Sequence, residues 1–156
     1  MEQEQIRLGI STCLLGENVR YDGGHQRDRF ITDTLGRFVV FVPVCPEVEC
    51  GLPVPRESMH LAGDPESPRL VTTLTKIDHT ERMVNWASKR VRELEKENLC
   101  GFIFKSNSPS SGMERVKVYN DHAASFQRSK PDSVTGYSDP FIPGIFLSRS
   151  SGVFNR

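Results

Sequence analysis

Phe38-Val39-Val40-Phe41-Val42 is a continuous apolar run that leads through Pro43-Val44 into Cys45-Pro46-Glu47-Val48-Glu49-Cys50-Gly51. A run with no polar member on either alternating face fits a strand buried on both sides, the usual state in a parallel sheet. Two other apolar runs end in the same way. Leu8 to Thr12 reads as a strand feeding Cys13-Leu14-Leu15-Gly16, and Phe102-Ile103-Phe104 feeds Lys105-Ser106-Asn107-Ser108-Pro109-Ser110-Ser111-Gly112. Asp28 to Leu35, closed by Gly36, reads as a short helix. Asp78 to Leu99 reads as the main helix, with an apolar stripe of Val84, Ala87, Val91 and Leu94 at intervals of three and four. Asp78 and Glu81 are spaced as a capping box, and Gly101 is placed to end the helix in the left-handed conformation. Strands alternating with helices predict an α/β fold built on a mostly parallel sheet flanked by helices. Ligands bind such sheets beyond the carboxyl ends of the strands, so the three loops are expected to meet in one crevice.

The remaining segments give weaker signals. Residues 51 to 80 are rich in Pro, Gly and Arg, and only Val54-Pro55-Arg56-Glu57 and Arg69-Leu70-Val71 look strand-like. An irregular segment of that length in a compact domain usually wraps a site. Val116, Val118 and Tyr119 suggest another strand, turned at Asn120-Asp121. The 156 residues suit a single domain over 1–156, with a tail from about 147 that has no clear period. Twenty basic and twenty acidic residues cancel, so long nucleic acid is not an expected partner. A small neutral or weakly charged ligand is. No apolar run approaches the roughly 20 residues a membrane span needs. Met1-Glu2-Gln3-Glu4-Gln5 is acidic and polar, unlike a secretory signal, which points to the cytoplasm.

Four cysteines are present, and in a reducing compartment they are not expected to pair. Cys100, just after the main helix, reads as a structural thiol. Cys13 and Cys45 each read as a buried thiol when taken alone, but their equivalent positions after two strands favour a shared site. The Cys45-to-Cys50 spacing matches no zinc ribbon and lends loose support to an iron–sulfur site. Glu47 sits two residues after Cys45. A partly dry crevice would raise its pKa and suit it to acid/base work, although a surface or capping role explains it equally well. Ser108, Ser110 and Ser111 either present hydroxyls and backbone N–H groups to a ligand or form an ordinary Ser-Pro turn. No G-x-x-x-x-G-K-[ST] pattern occurs, which argues against an ATPase.

Four ordered motifs then become recognisable. Ile10-Ser11-Thr12-Cys13-Leu14-Leu15-Gly16, Val19-Arg20-Tyr21-Asp22-Gly23, Cys45-Pro46-Glu47 and the Lys105–Gly112 loop closely resemble the thiouracil desulfurase (TudS-like) family, from about Leu8 to Tyr119. Gly51-Leu52-Pro53-Val54-Pro55-Arg56 and Val116-Lys117-Val118-Tyr119 resemble its longer branch, without that branch's extra C-terminal domain. The resemblance implies a Rossmann-like domain holding a [4Fe-4S] cluster by three cysteines, with one iron open to the sulfur of a thiolated nucleobase. Cys13 and Cys45 match two of the ligands, and Glu47 and Ser108 match the family's acid/base pair. The third ligand position is Ser111 here, and a serine hydroxyl is a harder, far less acidic donor than a thiol. Either the cluster is lost or another thiol takes the place, and Cys50, leaving the same loop as Cys45, is the candidate. The expected function is iron–sulfur-dependent desulfuration of a thiolated nucleobase or similar thiocarbonyl compound. The alternatives are a non-catalytic small-anion or nucleotide-like binding domain that has lost its cluster, or a structural zinc module using Cys13, Cys45 and Cys50.

Overall fold

The computed structural model describes residues 5–111, 116–120 and 134–138, the last stretch as backbone only. Its first sheet is parallel. Strands β1 (Ile6–Ser11), β2 (Val39–Val44) and β5 (Gly101–Ile103) lie in the order β2-β1-β5. β1 pairs with β2 from Ile6 opposite Val39 to Ser11 opposite Val44, and with β5 from Leu8 opposite Gly101 to Ile10 opposite Ile103. All three strands therefore deliver their following loops to one edge. Pro43 lies within β2 without breaking a ladder because β2 is an edge strand, where a missing N–H is tolerated. Gly9 has a second constraint. A Cβ there would collide with the ring of Phe102 on the neighbouring strand, and that ring also stacks on Phe104 at 4.3 Å.

A second, mixed sheet stands beside the first. Strands β3 (Met59–Asp64), β4 (Ser67–Thr72), β6 (Val116–Tyr119) and β7 (Val134–Ser138) lie in the order β4-β3-β6-β7. β3 is antiparallel to β4 and parallel to β6, and β6 is antiparallel to β7. Leu61, Leu70, Met83, Val116 and Val118 form its buried cluster. Met83 comes from helix α2 (Thr80–Glu95), whose buried residues are Met83, Ala87, Val91 and Leu94.

The α/β class and the parallel sheet match the sequence expectation, and the second sheet is the addition. β3 was not foreseen because Met-His-Leu-Ala-Gly-Asp has no β-branched or aromatic run, and burial of Leu61 against Leu70 holds it in place. Val54–Glu57 forms no strand. Helix α2 is shorter than Asp78–Leu99. Asp78 receives the Thr80 N–H at 2.8 Å, His79 is the capping residue, and the helix ends at Glu95. Asn98, at φ 50°, and not Gly101 takes the left-handed backbone, as asparagine tolerates, and Gly101 opens β5. Met83 replaces Val84 in the buried stripe. The helical turns after Asp28 run as a π turn over Phe30–Thr34 and a 3-10 turn over Leu35–Arg37. Cys100 is free and exposed rather than buried. The expected turn at Asn120-Asp121, the loop-like stretch after it and the tail from 147 fall wholly or partly outside the described residues.

Gly9→Val tests the close approach in the first sheet. The added side chain must displace Phe102, and overpacking of this kind costs about 1–3 kcal/mol. Thermal unfolding should show the loss; an unchanged midpoint would mean the ring moves aside freely.

Candidate active site

The three loops after β1, β2 and β5 meet around one cavity of about 220 Å³. Ligand pockets for drug-sized molecules run from roughly 300 to 1,000 Å³, so this one suits a single small ring better than a nucleotide.

Each loop is fixed by local chemistry. After β1, Thr12–Leu15 makes a 3-10 turn and Gly16, at φ 95°, closes it with its N–H to the Cys13 carbonyl. Only glycine takes that backbone without strain. Gln26 N–H also donates to the Cys13 carbonyl at 2.9 Å, which seats the turn. After β2, the short helix α1 (Pro46–Glu49) starts with Pro46 in its first turn and Cys45 as its capping residue. Glu49 reaches back to accept the Cys45 N–H at 3.0 Å and pairs with Arg90 of α2 at 3.0 Å. After β5, the Lys105 N–H donates to the buried Ser11 hydroxyl at 2.9 Å, tying the third loop to the first.

Cys13, Cys45, Glu47, Ser108 and Ser111 all line the cavity. Burial pushes the Cys13 thiol pKa up, against the pull of Lys105 and Arg20. Burial does the same to Cys45, opposed by the Val48 backbone N–H. The structure does not bring Cys50 into the cavity. Its Sγ donates to the Glu47 carbonyl at 3.2 Å, and its side chain packs against the Leu61–Met83 cluster of the second sheet.

Glu47 is not an isolated carboxylate in an apolar crevice. The Arg56 guanidinium clamps its Oε2 through both Nε, at 3.0 Å, and Nη2. The same guanidinium donates to the carbonyls of Val19 at 3.0 Å and Pro53 at 3.2 Å. Side-chain exposure is 5% for Arg56 and 15% for Glu47, so the pair is held largely out of water. The other carboxylate oxygen accepts the Ser110 hydroxyl at 3.0 Å. Ser108 lies 3.2 Å from Ser110, and Ser111 donates to Ser108 at 3.1 Å. Each hydroxyl has one proton, so Ser110, which gives its own to Glu47, must accept from Ser108. The chain then runs in one direction, Ser111 to Ser108 to Ser110 to Glu47.

The family resemblance matches Glu47 and Ser108 to an acid/base pair; the structure joins the two through Ser110, which sequence reasoning gave no separate role. Sequence reasoning also missed Arg56 as the clamp and Arg20 and Tyr21 as cavity-lining residues. Arg56 lies in the irregular 51–80 segment, and the length of that segment was the signal that it wraps a site.

A [4Fe-4S] cluster is a poor match to this donor set. Such clusters are held by cysteine thiolates. The cavity offers two thiols and the Ser111 hydroxyl, and no group of three His, Cys, Asp or Glu side chains suited to a metal occurs among the described residues. The zinc alternative with Cys13, Cys45 and Cys50 meets the same obstacle.

The ion pair can be tested by stability. Arg56→Met leaves a buried carboxylate without its partner, which costs about 3–5 kcal/mol. Glu47→Gln in the same chain should recover part of that loss in urea unfolding. Strict additivity of the two changes would show that the groups are not coupled.

Known proteins bear on this arrangement. A solved structure of a [4Fe-4S]-dependent thiouracil desulfidase, TudS, is similar at TM-score 0.67 and 26% identity, over 97% of this chain and 88% of that one. An uncharacterised protein of Bacillus subtilis (strain 168), YbbK, is 31% identical over 108 residues, which is 66% of this chain and 71% of that protein. The model of the 2-thiouracil desulfurase family matches residues 8–139. With three loops, one cavity and this match across most of its length, the chain belongs to the 2-thiouracil desulfurase family.

Proposed function

We propose that the cavity binds a small thiolated nucleobase, or a similar thiocarbonyl compound, and replaces its sulfur with oxygen. The observation that carries this reading is Glu47, held by Arg56 on one side and joined on the other to a directed row of three hydroxyls in a one-ring cavity that also holds two thiols. Family membership supports the substrate class.

The overall change is hydrolytic. Water adds its oxygen to the thiocarbonyl carbon, the carbon–sulfur bond breaks, and the products are a carbonyl compound and hydrogen sulfide. Water loses a proton as it attacks. Glu47 takes that proton through Ser110 and Ser108, since the hydroxyl chain already points toward its carboxylate. The departing sulfur needs a proton in return. Cys13 and Cys45 are thiols with pKa values raised by burial, so they face the substrate as S–H donors and as soft, polarizable neighbours for sulfur. A thiol that gives its proton to the sulfur is reprotonated by Glu47 or by solvent, which closes the cycle. Tyr21, at the mouth of the cavity and with the Arg20 guanidinium 5.7 Å from its ring centre, offers a flat face for the base.

The two-thiol donor set favours a second reading, in which the cavity binds the thiocarbonyl compound without turning it over. Sulfide release separates the two. On incubation with 2-thiouracil, the first reading requires sulfide and uracil in equal amounts, and the second requires binding alone. Absence of both binding and turnover with 2-thiouracil and its thiocarbonyl analogues would remove the substrate assignment.

Two variants refine the test. Glu47→Gln keeps the shape and loses the proton acceptor, so sulfide release should fall by about 10²- to 10⁴-fold with binding retained. Full turnover by that variant would make Glu47 a structural residue. Tyr21→Ala should weaken 2-thiouracil binding by about 1–3 kcal/mol, the scale of base–aromatic stacking. A binding isotherm that does not move would place the base elsewhere.

A further inference from the structure

We propose that Ser111 sets the cofactor state of this cavity: its hydroxyl serves the proton row to Glu47, and the chain does not hold a [4Fe-4S] cluster through three of its own thiolates. This deepens the reading above and rests on it only for where the cavity lies.

The thiol inventory is complete, because all four cysteines fall within the described residues. The loop after β1 supplies Cys13 and the loop after β2 supplies Cys45. Among its described residues, the loop after β5 brings only oxygen and nitrogen donors to the cavity. Cys100 precedes β5 and donates its N–H to the Arg7 carbonyl, so it stands at the strand's amino end, away from the loops that form the cavity. Cys50 is held by its own turn. Its N–H donates to the Pro46 carbonyl at 2.9 Å and the Leu52 N–H donates to the Glu47 carbonyl at 3.0 Å. Turning its thiol to the cavity would break the Sγ contact with Glu47 and pull the side chain from the apolar cluster.

Ser111 is the position where a third thiol would complete the set. It is 5% exposed, lines the same cavity as Cys13 and Cys45, and comes from the third loop. Its hydroxyl already has a use. The proton goes to Ser108 at 3.1 Å, and the backbone N–H of Ser111 points to the same Ser108 oxygen at 3.3 Å. The free lone pairs of Ser111 are left to accept a proton from the cavity, which makes it the entry of the row that ends at Glu47. An un-ionised hydroxyl is a weak ligand for iron in a sulfide cluster. Ser111→Cys changes one atom, oxygen to sulfur, on an unchanged backbone.

The test is anaerobic reconstitution of the full chain with ferrous iron and sulfide, followed by desalting. Iron and acid-labile sulfide per chain are measured, with absorbance near about 400 nm as the cluster signature. The wild-type chain should retain at least about tenfold less iron than Ser111→Cys, the scale on which even supporting groups change metal affinity. Ser111→Cys should retain a full cluster's iron and sulfide and lose both again when Cys45→Ser is added. A wild-type chain that holds a full cluster overturns the proposal, and Cys50→Ser then shows whether Cys50 moved in as the ligand. A folded Ser111→Cys chain that holds no more iron than the wild type also overturns it. The wild-type arm needs no variant, so it decides the first half of the proposal even if Ser111→Cys fails to fold. Binding of 2-thiouracil by the wild type, followed by calorimetry, reads the substrate assignment separately. Loss of that binding would defeat the assignment and leave the iron result standing.

Discussion

The Arg56–Glu47 pair is the contact on which the cavity depends. One guanidinium reaches Glu47 in the loop after β2, the Val19 carbonyl beyond the first loop, and the Pro53 carbonyl in its own irregular segment. The Arg56 N–H adds a bond to the Tyr21 carbonyl at 2.8 Å. Arginine can do this because its donors lie in a fixed planar fork and its charge persists when it is desolvated. Replacing it by lysine would leave one point charge where several directed donors are needed. A buried ion pair of this kind adds little net stability compared with a well-packed apolar pair, since both ions lose water. Its value here is geometric. It fixes the carboxylate against the hydroxyl row and ties three otherwise independent segments to one point.

What was legible in the sequence follows from where the signals are local. The strands before Cys13, Cys45 and Lys105 are short apolar runs ending in turn residues, and their shared parallel direction follows from the intervening helical segments. That was enough to place Cys13, Cys45, Glu47, Ser108 and Ser111 around one cavity. The second sheet was not legible, because β3 is held by the packing of Leu61 on Leu70 and not by its own composition. Arg56 was not legible either. Its role depends on a distant carboxylate nine residues earlier and on carbonyls of two other segments, and no spacing rule encodes such a meeting. Ser110 illustrates the finer limit. A run of Ser-Pro-Ser-Ser announces hydroxyls, but which of them touches Glu47 depends on the turn, and the turn buries Ser110 at 1% exposure beneath Ser108.

The cavity joins soft donors on one wall to hard donors on another. Cys13 and Cys45 come from the loops of the parallel sheet's first two strands, and Ser108, Ser110 and Ser111 come from the third. Glu47, from the same loop as Cys45, meets the hydroxyl row, so soft and hard donors share one small space. A thiocarbonyl group makes the same division, with a soft sulfur and an electrophilic carbon open to water. The match is one of donor type and size, and the proposed thiocarbonyl substrate rests on it. The family to which the chain belongs is named for 2-thiouracil, a base that carries such a group.

The third wall is also the one that both sheets place. At its start, the Lys105 N–H is fixed to Ser11 at the end of β1, in the parallel sheet. Beyond Ser111 the chain enters β6, whose Val116 and Val118 are buried in the mixed sheet beside Leu61 and Met83. The hydroxyl row therefore lies between an anchor in the parallel sheet and a strand of the mixed sheet, and the Cys45 loop is likewise tied to α2 through Glu49 and Arg90. Cys50 sits at the same junction, with its sulfur on the Glu47 carbonyl and its side chain against the mixed-sheet cluster. That position makes it a spacer between the loop after β2 and the second core, and it gives a physical reason for a cysteine there that involves no metal: a small apolar side chain with one weak donor fits a site that is greasy on one side and presents a carbonyl on the other.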